Sequence, residues 1–184
     1  MATVVEGLLT AEEFGRLPDD GMPKELVRGK VVPMNLPAPR HGQVCGKITR
    51  ILGRFLDTRD IGHLFPNDSG VVTERNPDTV RGADVAFYSY NRLPPGPVVQ
   101  GYLAVVPELV FEVRSPTDRW RDVLAKAVEH LDAGVTTVCV FDPMQESIHV
   151  FNNDAPNRIF TADQELTLPE VLGDFRAPVR LFFE

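Results

Sequence analysis

Between Pro107 and Phe141 the chain passes from one strongly apolar segment, through an amphipathic one, into another. The first, Pro107-Glu108-Leu109-Val110-Phe111-Glu112-Val113, is rich in branched and aromatic residues and reads as a buried strand. Ser115-Pro116-Thr117-Asp118 carries helix-starting chemistry; the helix it predicts runs to about Ala133 and stops at Gly134. Residues 136–141 are a second buried strand, closed by Asp142-Pro143. Two buried strands joined through a helix imply a parallel pair, because antiparallel neighbours need only a short turn. The expected architecture is therefore α/β or α+β, a mixed central sheet flanked by helices.

Other segments fill in this frame. A capping box, Thr10-x-x-Glu13, starts a short helix over residues 10–17. Residues 25–27 and 30–32 form two strands joined at Arg28-Gly29, an N-terminal hairpin. The spacing of Val44, Ile48, Ile51, Leu52 and Phe55 is helical over residues 39–58. Residues 69–73 and 82–90 read as strands around the Asn76-Pro77-Asp78 turn. Residues 147–151 and 158–161 make a hairpin, followed by a helical turn at 169–172 and a last strand at 179–183.

A chain of 184 residues with 43% hydrophobic and 24% charged residues fits one soluble domain, residues 1–184. No apolar run reaches membrane-spanning length, and the first residues lack leader chemistry. Cys45 and Cys139 make neither a disulfide framework nor a zinc knuckle, so a reduced, cytoplasmic setting is expected. The net charge of -7 disfavours a protein that coats nucleic acid through bulk positive charge. It leaves room for an enzyme whose site is built of carboxylates.

Two acids interrupt apolar strands. In Arg81-Gly82-Ala83-Asp84-Val85-Ala86-Phe87, alternation puts Asp84 on one face with Ala86 and Tyr88. In Val110-Phe111-Glu112-Val113-Arg114, Glu112 and Arg114 share a face opposite Leu109, Phe111 and Val113. Burying such an acid costs several kcal/mol unless it is paired or binds a metal. One resolution is a salt bridge, such as Glu112 with Arg81 or Arg121. The other is a site. Hard Mg²⁺ takes a few carboxylates and keeps waters, and it activates water for phosphodiester hydrolysis.

Asp followed on a neighbouring strand by Glu-x-cation resembles the PD-(D/E)xK pattern of restriction-endonuclease-like enzymes, whose core runs α-β-β-β-α-β. More closely, the chain resembles the bacterial Uma-two family of restriction-endonuclease-like proteins. The matching stretches are Glu25-Leu26-Val27-Arg28-Gly29-Lys30-Val31, Pro39-x-His41-Gly42, Arg81 through Phe87, Pro107 through Pro116, Lys126, Gly134-Val135 and Phe141-Asp142-Pro143. They cover most of residues 25–143 in order. The resemblance implies a restriction-endonuclease-like core with an N-terminal hairpin and C-terminal strands. It further implies an endonuclease that uses Mg²⁺ or Mn²⁺ on DNA, with Asp84 and Glu112 as metal ligands. Ala83 stands where the pattern has proline, and Arg114 stands where it has lysine. Arginine keeps its charge but gives up no proton, so it would stabilise charge rather than act as a base.

Lys126 falls at the edge of a helix stripe formed by Trp120, Leu124, Ala127, Val128 and Leu131. It is either a solvated flank residue or a cation delivered to the acids, and related proteins carry a helix lysine here. Glu25 is a further site acid or an exposed strand end. His41 hydrogen-bonds an acid or caps its helix. His63, His130 and His149 lack metal-ligand spacing and read as structural or exposed. Arg40, Lys47, Arg50 and Arg54 line one side of the long helix, a solvated face or a phosphate-contacting stripe. Two DNA strands need two cuts, which is compatible with a homodimer; the terminal hairpin and residues 179–183 offer apolar edges, but the sequence assigns no interface. The alternative to catalysis is a nucleic-acid-binding or assembly module, impaired by Arg114, whose acids are held in salt bridges.

Overall fold

The computed structural model describes residues 7–98 and 100–184. In chain order these contain α1 (Ala11–Phe14), β1 (Lys24–Val27), β2 (Lys30–Pro33), α2 (Pro39–Leu56), β3 (Gly62–Glu74), β4 (Thr79–Ser89) and β5 (Leu109–Val113). There follow α3 (Trp120–Asp132), β6 (Thr137–Asp142), β7 (Ser147–Asn152), β8 (Arg158–Phe160), β9 (Glu165–Thr167), α4 (Pro169–Leu172) and β10 (Arg176–Pro178). A 3₁₀ turn, Val179–Phe182, ends the fold.

The main sheet has the order β2-β1-β4-β5-β6-β7-β8, with β3 paired along β4. Strands β5 and β6 are parallel, from Leu109 opposite Thr137 to Val113 opposite Phe141, as the intervening helix requires. The remaining pairs are antiparallel. The series α2-β3-β4-β5-α3-β6 is the α-β-β-β-α-β core. At the N-terminal hairpin both turn residues, Arg28 and Gly29, have positive φ, as a two-residue turn between twisted strands demands. A Cβ on Gly29 would lie 2.5 Å from Leu8 Cβ, so glycine also lets the N-terminal segment close over the turn.

Alternation in the central strands sends side chains to two cores. Val85, Phe87, Phe111 and Phe141 pack against Val44, Ile48 and Leu52 of α2. Ala86, Val110, Val138 and Val140 pack against Ala127 and Leu131 of α3. The two long helices thus cover opposite faces of the sheet.

Four expectations need correction. Residues 115–118 close their own turn, with Asp118 accepting from Ser115 N at 2.8 Å, and α3 starts later with no side-chain cap. The α3 stripe is rotated: Leu124 and Val128 are exposed, while Ala127, His130 and Leu131 are buried. The helix turns charged groups toward the sheet, at the expense of two apolar contacts. Strand β3 begins earlier than expected and carries a bulge between Pro66 and Ser69. Finally, residues 179–183 are not an edge strand. Val179, Phe182 and Phe183 are buried in the α2 core, each large side chain contributing roughly 1.5–3 kcal/mol, while Leu181 stays partly exposed.

Candidate active site

The site follows from a splay in the sheet. One edge of β4 pairs with β1 only at Val80, opposite Leu26, and pairs with β5 from Val85, opposite Phe111. Between those points, residues 81–84 have no strand beside them on that edge. Backbone groups released by the splay need other partners, and charged side chains supply them. Gly82 N donates to Glu25 Oε1 at 3.0 Å, and Gly82 O accepts from Lys126 Nζ at 2.8 Å. At the end of β5, Val113 N donates to Asp84 Oδ2 at 2.6 Å.

These contacts draw together Glu25, Asp84, Glu112 and Lys126. Lys126 Nζ lies 2.9 Å from Glu112 Oε2 and 3.4 Å from Glu25 Oε1. Glu25 also binds Arg81 at 2.8 Å, and Glu129 holds that arginine from the far side through a two-pronged contact. Asp84 meets His41 Nε2 at 3.2 Å, and the other ring nitrogen of His41 lies 3.5 Å from Cys45 Sγ. By alternation Asp84 belongs to the α3 side, yet it meets α2. At the gap its short side chain lies between the two layers.

The electrostatics separate the two central acids. Burial pushes the Asp84 carboxyl up to about 6; the charge of Glu112 adds to the rise and His41 opposes it. Burial would raise Glu112 as well, but Lys126 and His130 outweigh it and hold that carboxyl below its ordinary value. Burial works against the charged form of Lys126 too. Glu112, Glu25 and Asp84 overcome it and keep the ammonium above the usual lysine range. At His41 burial lowers the pKa, but Asp84 and Cys45 prevail and raise the imidazole to about 10.

A cleft of about 730 Å³ opens over this cluster. Glu25, Asp84, Glu112 and Lys126 line it, together with His41 and Asp68. One rim is the proline-rich loop after β2, including Met34 and Leu36, and the opposite rim is the turn from Ser115 to Arg119.

The other expected residues are placed differently. Arg114 borders the cleft but spends its guanidinium on the fully buried Asp142 at 2.9 Å and on Asp118 O at 3.1 Å, and it stacks over Trp120. Arg81 and Arg121 are not the partners of Glu112: Arg81 is held by Glu25 and Glu129, and Arg121 is exposed. Arg40, Lys47, Arg50 and Arg54 do not line the cleft, which α2 borders only through Ala38 and His41. They occupy the flank of α2 turned away from His41 and Cys45.

Two neighbours escaped the sequence reading. His130 is fully buried, with Nε2 3.4 Å from Glu112 Oε1; its spacing from Ala127 and Val123 was the available signal. Asp68 sits on the β3 bulge, where φ is positive, and packs against Gly82 so closely that a Cβ there would lie 3.2 Å from it. A bulge carries no sequence signature that would have found it.

The Uma2 family, described as "Putative restriction endonuclease", matches residues 11–180. The chain belongs to the Uma2 family. A crystal structure described as a "putative nuclease belonging to DUF820" from Anabaena variabilis ATCC 29413 superposes with a TM-score of 0.81 at 17% identity. The match covers 95% of this Uma2 chain and 97% of the other, so the two share a fold. No curated protein matches the chain. Among the described residues, no helix of this Uma2 protein is long and apolar enough to cross a membrane.

Proposed function

We propose that this Uma2 protein is a divalent-metal-dependent endonuclease hydrolysing DNA phosphodiester bonds, with Asp84 and Glu112 holding Mg²⁺ or Mn²⁺. The observation that carries the reading is Glu112 Oε1, which is buried and accepts no hydrogen bond of good geometry, with His130 Nε2 at 3.4 Å as its neighbour. An unsatisfied buried acceptor costs about 1–3 kcal/mol, and a bound cation removes that cost. Asp84 points the same way: both its contacts fall on Oδ2, and neither uses Oδ1. The donor set is all oxygen, which suits a hard cation. Around the gap, four carboxylates (Glu25, Asp84, Glu112, Glu129) face three cations (Arg81, Lys126, His41), and the excess is negative.

A metal held there would polarise a phosphoryl oxygen and lower the pKa of a bound water. Lys126 is the functional cation in this reading. Its raised pKa keeps the proton on, so it donates to a phosphoryl oxygen or orients water and does not serve as a base. Glu25 and Arg81 position Lys126 from behind. Arg114 locks the end of β5 to β6 through Asp142 and takes no part in the chemistry. Arg40, Lys47, Arg50 and Arg54, on the flank of α2 turned away from the cleft, come into play only for DNA that continues along that helix.

The non-catalytic module draws support from the ion pairs already made by both acids. Calorimetric titration with Mg²⁺ and Mn²⁺, with plasmid nicking in parallel, separates the two readings. Binding and nicking in the wild type, both lost in Asp84→Asn with Glu112→Gln, are expected. A wild type that binds no divalent ion even with DNA present refutes the nuclease and leaves the module.

A further inference from the structure

We propose that His41, Cys45 and Asp84 form a second metal site, selective for a thiophilic divalent ion, Zn²⁺ above all, that shares Asp84 with the oxygen-only pair. Each of the three offers one ligand atom, and these atoms all lie within 4.8 Å of one another. The arrangement is built into two rigid elements. His41 and Cys45 are one helical turn apart on α2, the i,i+4 spacing by which a helix presents two ligands to one ion. Asp84 comes from β4 beneath them. Tetrahedral zinc, with bonds of about 2.0–2.3 Å, keeps its ligands roughly 3.3–3.8 Å apart. His41 Nε2 already lies 3.2 Å from Asp84 Oδ2, just under that spacing, whereas the 3.5 Å contact to Cys45 is made by the other ring nitrogen, so one nitrogen meets both ligands only after a small turn of the ring.

Donor chemistry separates this site from the first. Mg²⁺ demands oxygen, whereas an imidazole, a thiolate and one carboxylate suit borderline-soft Zn²⁺ and leave a fourth position for water. In the metal-free protein His41 spends one ring nitrogen on each neighbour. A metal replaces both contacts with a single nitrogen ligand, and the Cys45 thiol and the His41 imidazolium each release one proton to solvent. Cys139, the other cysteine, is buried within β6 and cannot substitute for Cys45. Because Asp84 cannot serve both ions in full, Zn²⁺ here competes with Mg²⁺ and inhibits. That consequence, unlike the site itself, rests on the nuclease reading.

Co²⁺ reports the site directly, since thiolate ligation gives a charge-transfer band in the near ultraviolet. The full chain, titrated with Co²⁺ and then displaced with Zn²⁺, is expected to show the band. Cys45→Ser should abolish it. His41→Gln and Asp84→Asn should weaken Zn²⁺ binding by more than the roughly 10–100-fold that loss of an outer partner costs. Glu112→Gln should keep the band while losing Mg²⁺, so failure of the nuclease reading and failure of this one are separately visible. A wild type without the band overturns the proposal. So does a band that persists at unchanged Zn²⁺ affinity in both His41→Gln and Asp84→Asn, because Cys45 would then be acting alone. Circular dichroism of each variant guards against misfolding, and Cys45→Ser, which changes one atom, is the mildest of them.

Discussion

Lys126→Met keeps the aliphatic stem in place and removes the ammonium. In the wild type that group donates to Glu112 Oε2 at 2.9 Å and Gly82 O at 2.8 Å. Glu25 keeps Arg81 at 2.8 Å when the lysine is lost, so it is not stranded. Glu112 is stranded, with only His130 at 3.4 Å to offset its charge. Removing one partner of a buried pair costs about 3–5 kcal/mol; the His130 contact places this case near the lower end, about 3 kcal/mol. For a domain of this size that is a fall of roughly 6–12 °C in Tm. The sign of the pH dependence is specific. Wild-type Glu112 is held below 4.5, so its stabilising contribution is present above that value and fades as pH drops through the depressed one. In the variant an unpaired Glu112 is raised instead, and protonation relieves it. The stability gap should therefore be full at neutral pH and close below about pH 4.5. Urea denaturation with a chelator present measures it, and Glu112→Gln added to Lys126→Met should restore most of the loss. A gap under about 1 kcal/mol at pH 7, or one independent of pH, refutes the idea that this lysine neutralises Glu112.

Arg114→Met should cost about 3 kcal/mol of stability, because it strands the fully buried Asp142, while Mg²⁺ affinity measured by calorimetry stays within a few-fold of wild type. The raised pKa of His41 carries its own signature. Its stabilising contribution is complete below the ordinary value of 6.5 and is lost as pH rises through about 10. Urea titrations in chelator across that window should show the wild-type advantage over His41→Gln shrinking, and NMR should place the His41 titration near its upper end.

How much of this was legible in the sequence depends on whether the signal was local. The β5-α3-β6 crossover was visible because apolar runs and a helix period are written in consecutive residues. Asp84 and Glu112 stood out because an acid in an apolar strand violates the local pattern. The role of Lys126 was harder to see. A stripe drawn through Leu124 and Val128 put it on the flank, whereas the helix is rotated to bury His130 and bring Lys126 over the gap. Hydrophobic periodicity assumes that apolar contact decides which face is buried. Here a chain of ion pairs from Glu129 through Arg81, Glu25 and Lys126 to Glu112 decides it. The engagement of Arg114 was hidden for the opposite reason. Alternation gave its face correctly, but its partner, Asp142, lies on the next strand, and pairings across a parallel crossover cannot be read from spacing. Asp68 depends on a bulge whose position is set by the register between β3 and β4.

The composition of the cleft also dictates an order of events. Glu25, Asp68, Asp84, Glu112, Asp118 and Asp122 line it, against Arg114, Arg119, Lys126 and the protonated His41. Three of those cations are already engaged, Arg114 by Asp142, Lys126 by Glu112 and His41 by Asp84. A phosphate backbone entering such a cleft meets repulsion of about 4 kcal/mol for each unpaired like charge at 4 Å, in the dielectric of a protein surface. On the proposed nuclease reading, divalent ions are therefore in place before the DNA, and binding should depend on them even where no chemistry occurs. Fluorescence anisotropy of labelled DNA should show at least about tenfold tighter binding in Ca²⁺, an oxygen-seeking cation of the same charge, than in chelator. In Asp84→Asn with Glu112→Gln the Ca²⁺ effect should vanish, because the double variant removes the ligands that hold the ion. Equal affinity of the wild type in chelator and in Ca²⁺ would mean that DNA is held outside the cleft, with Arg40, Lys47, Arg50 and Arg54 on the far flank of α2 as the remaining surface.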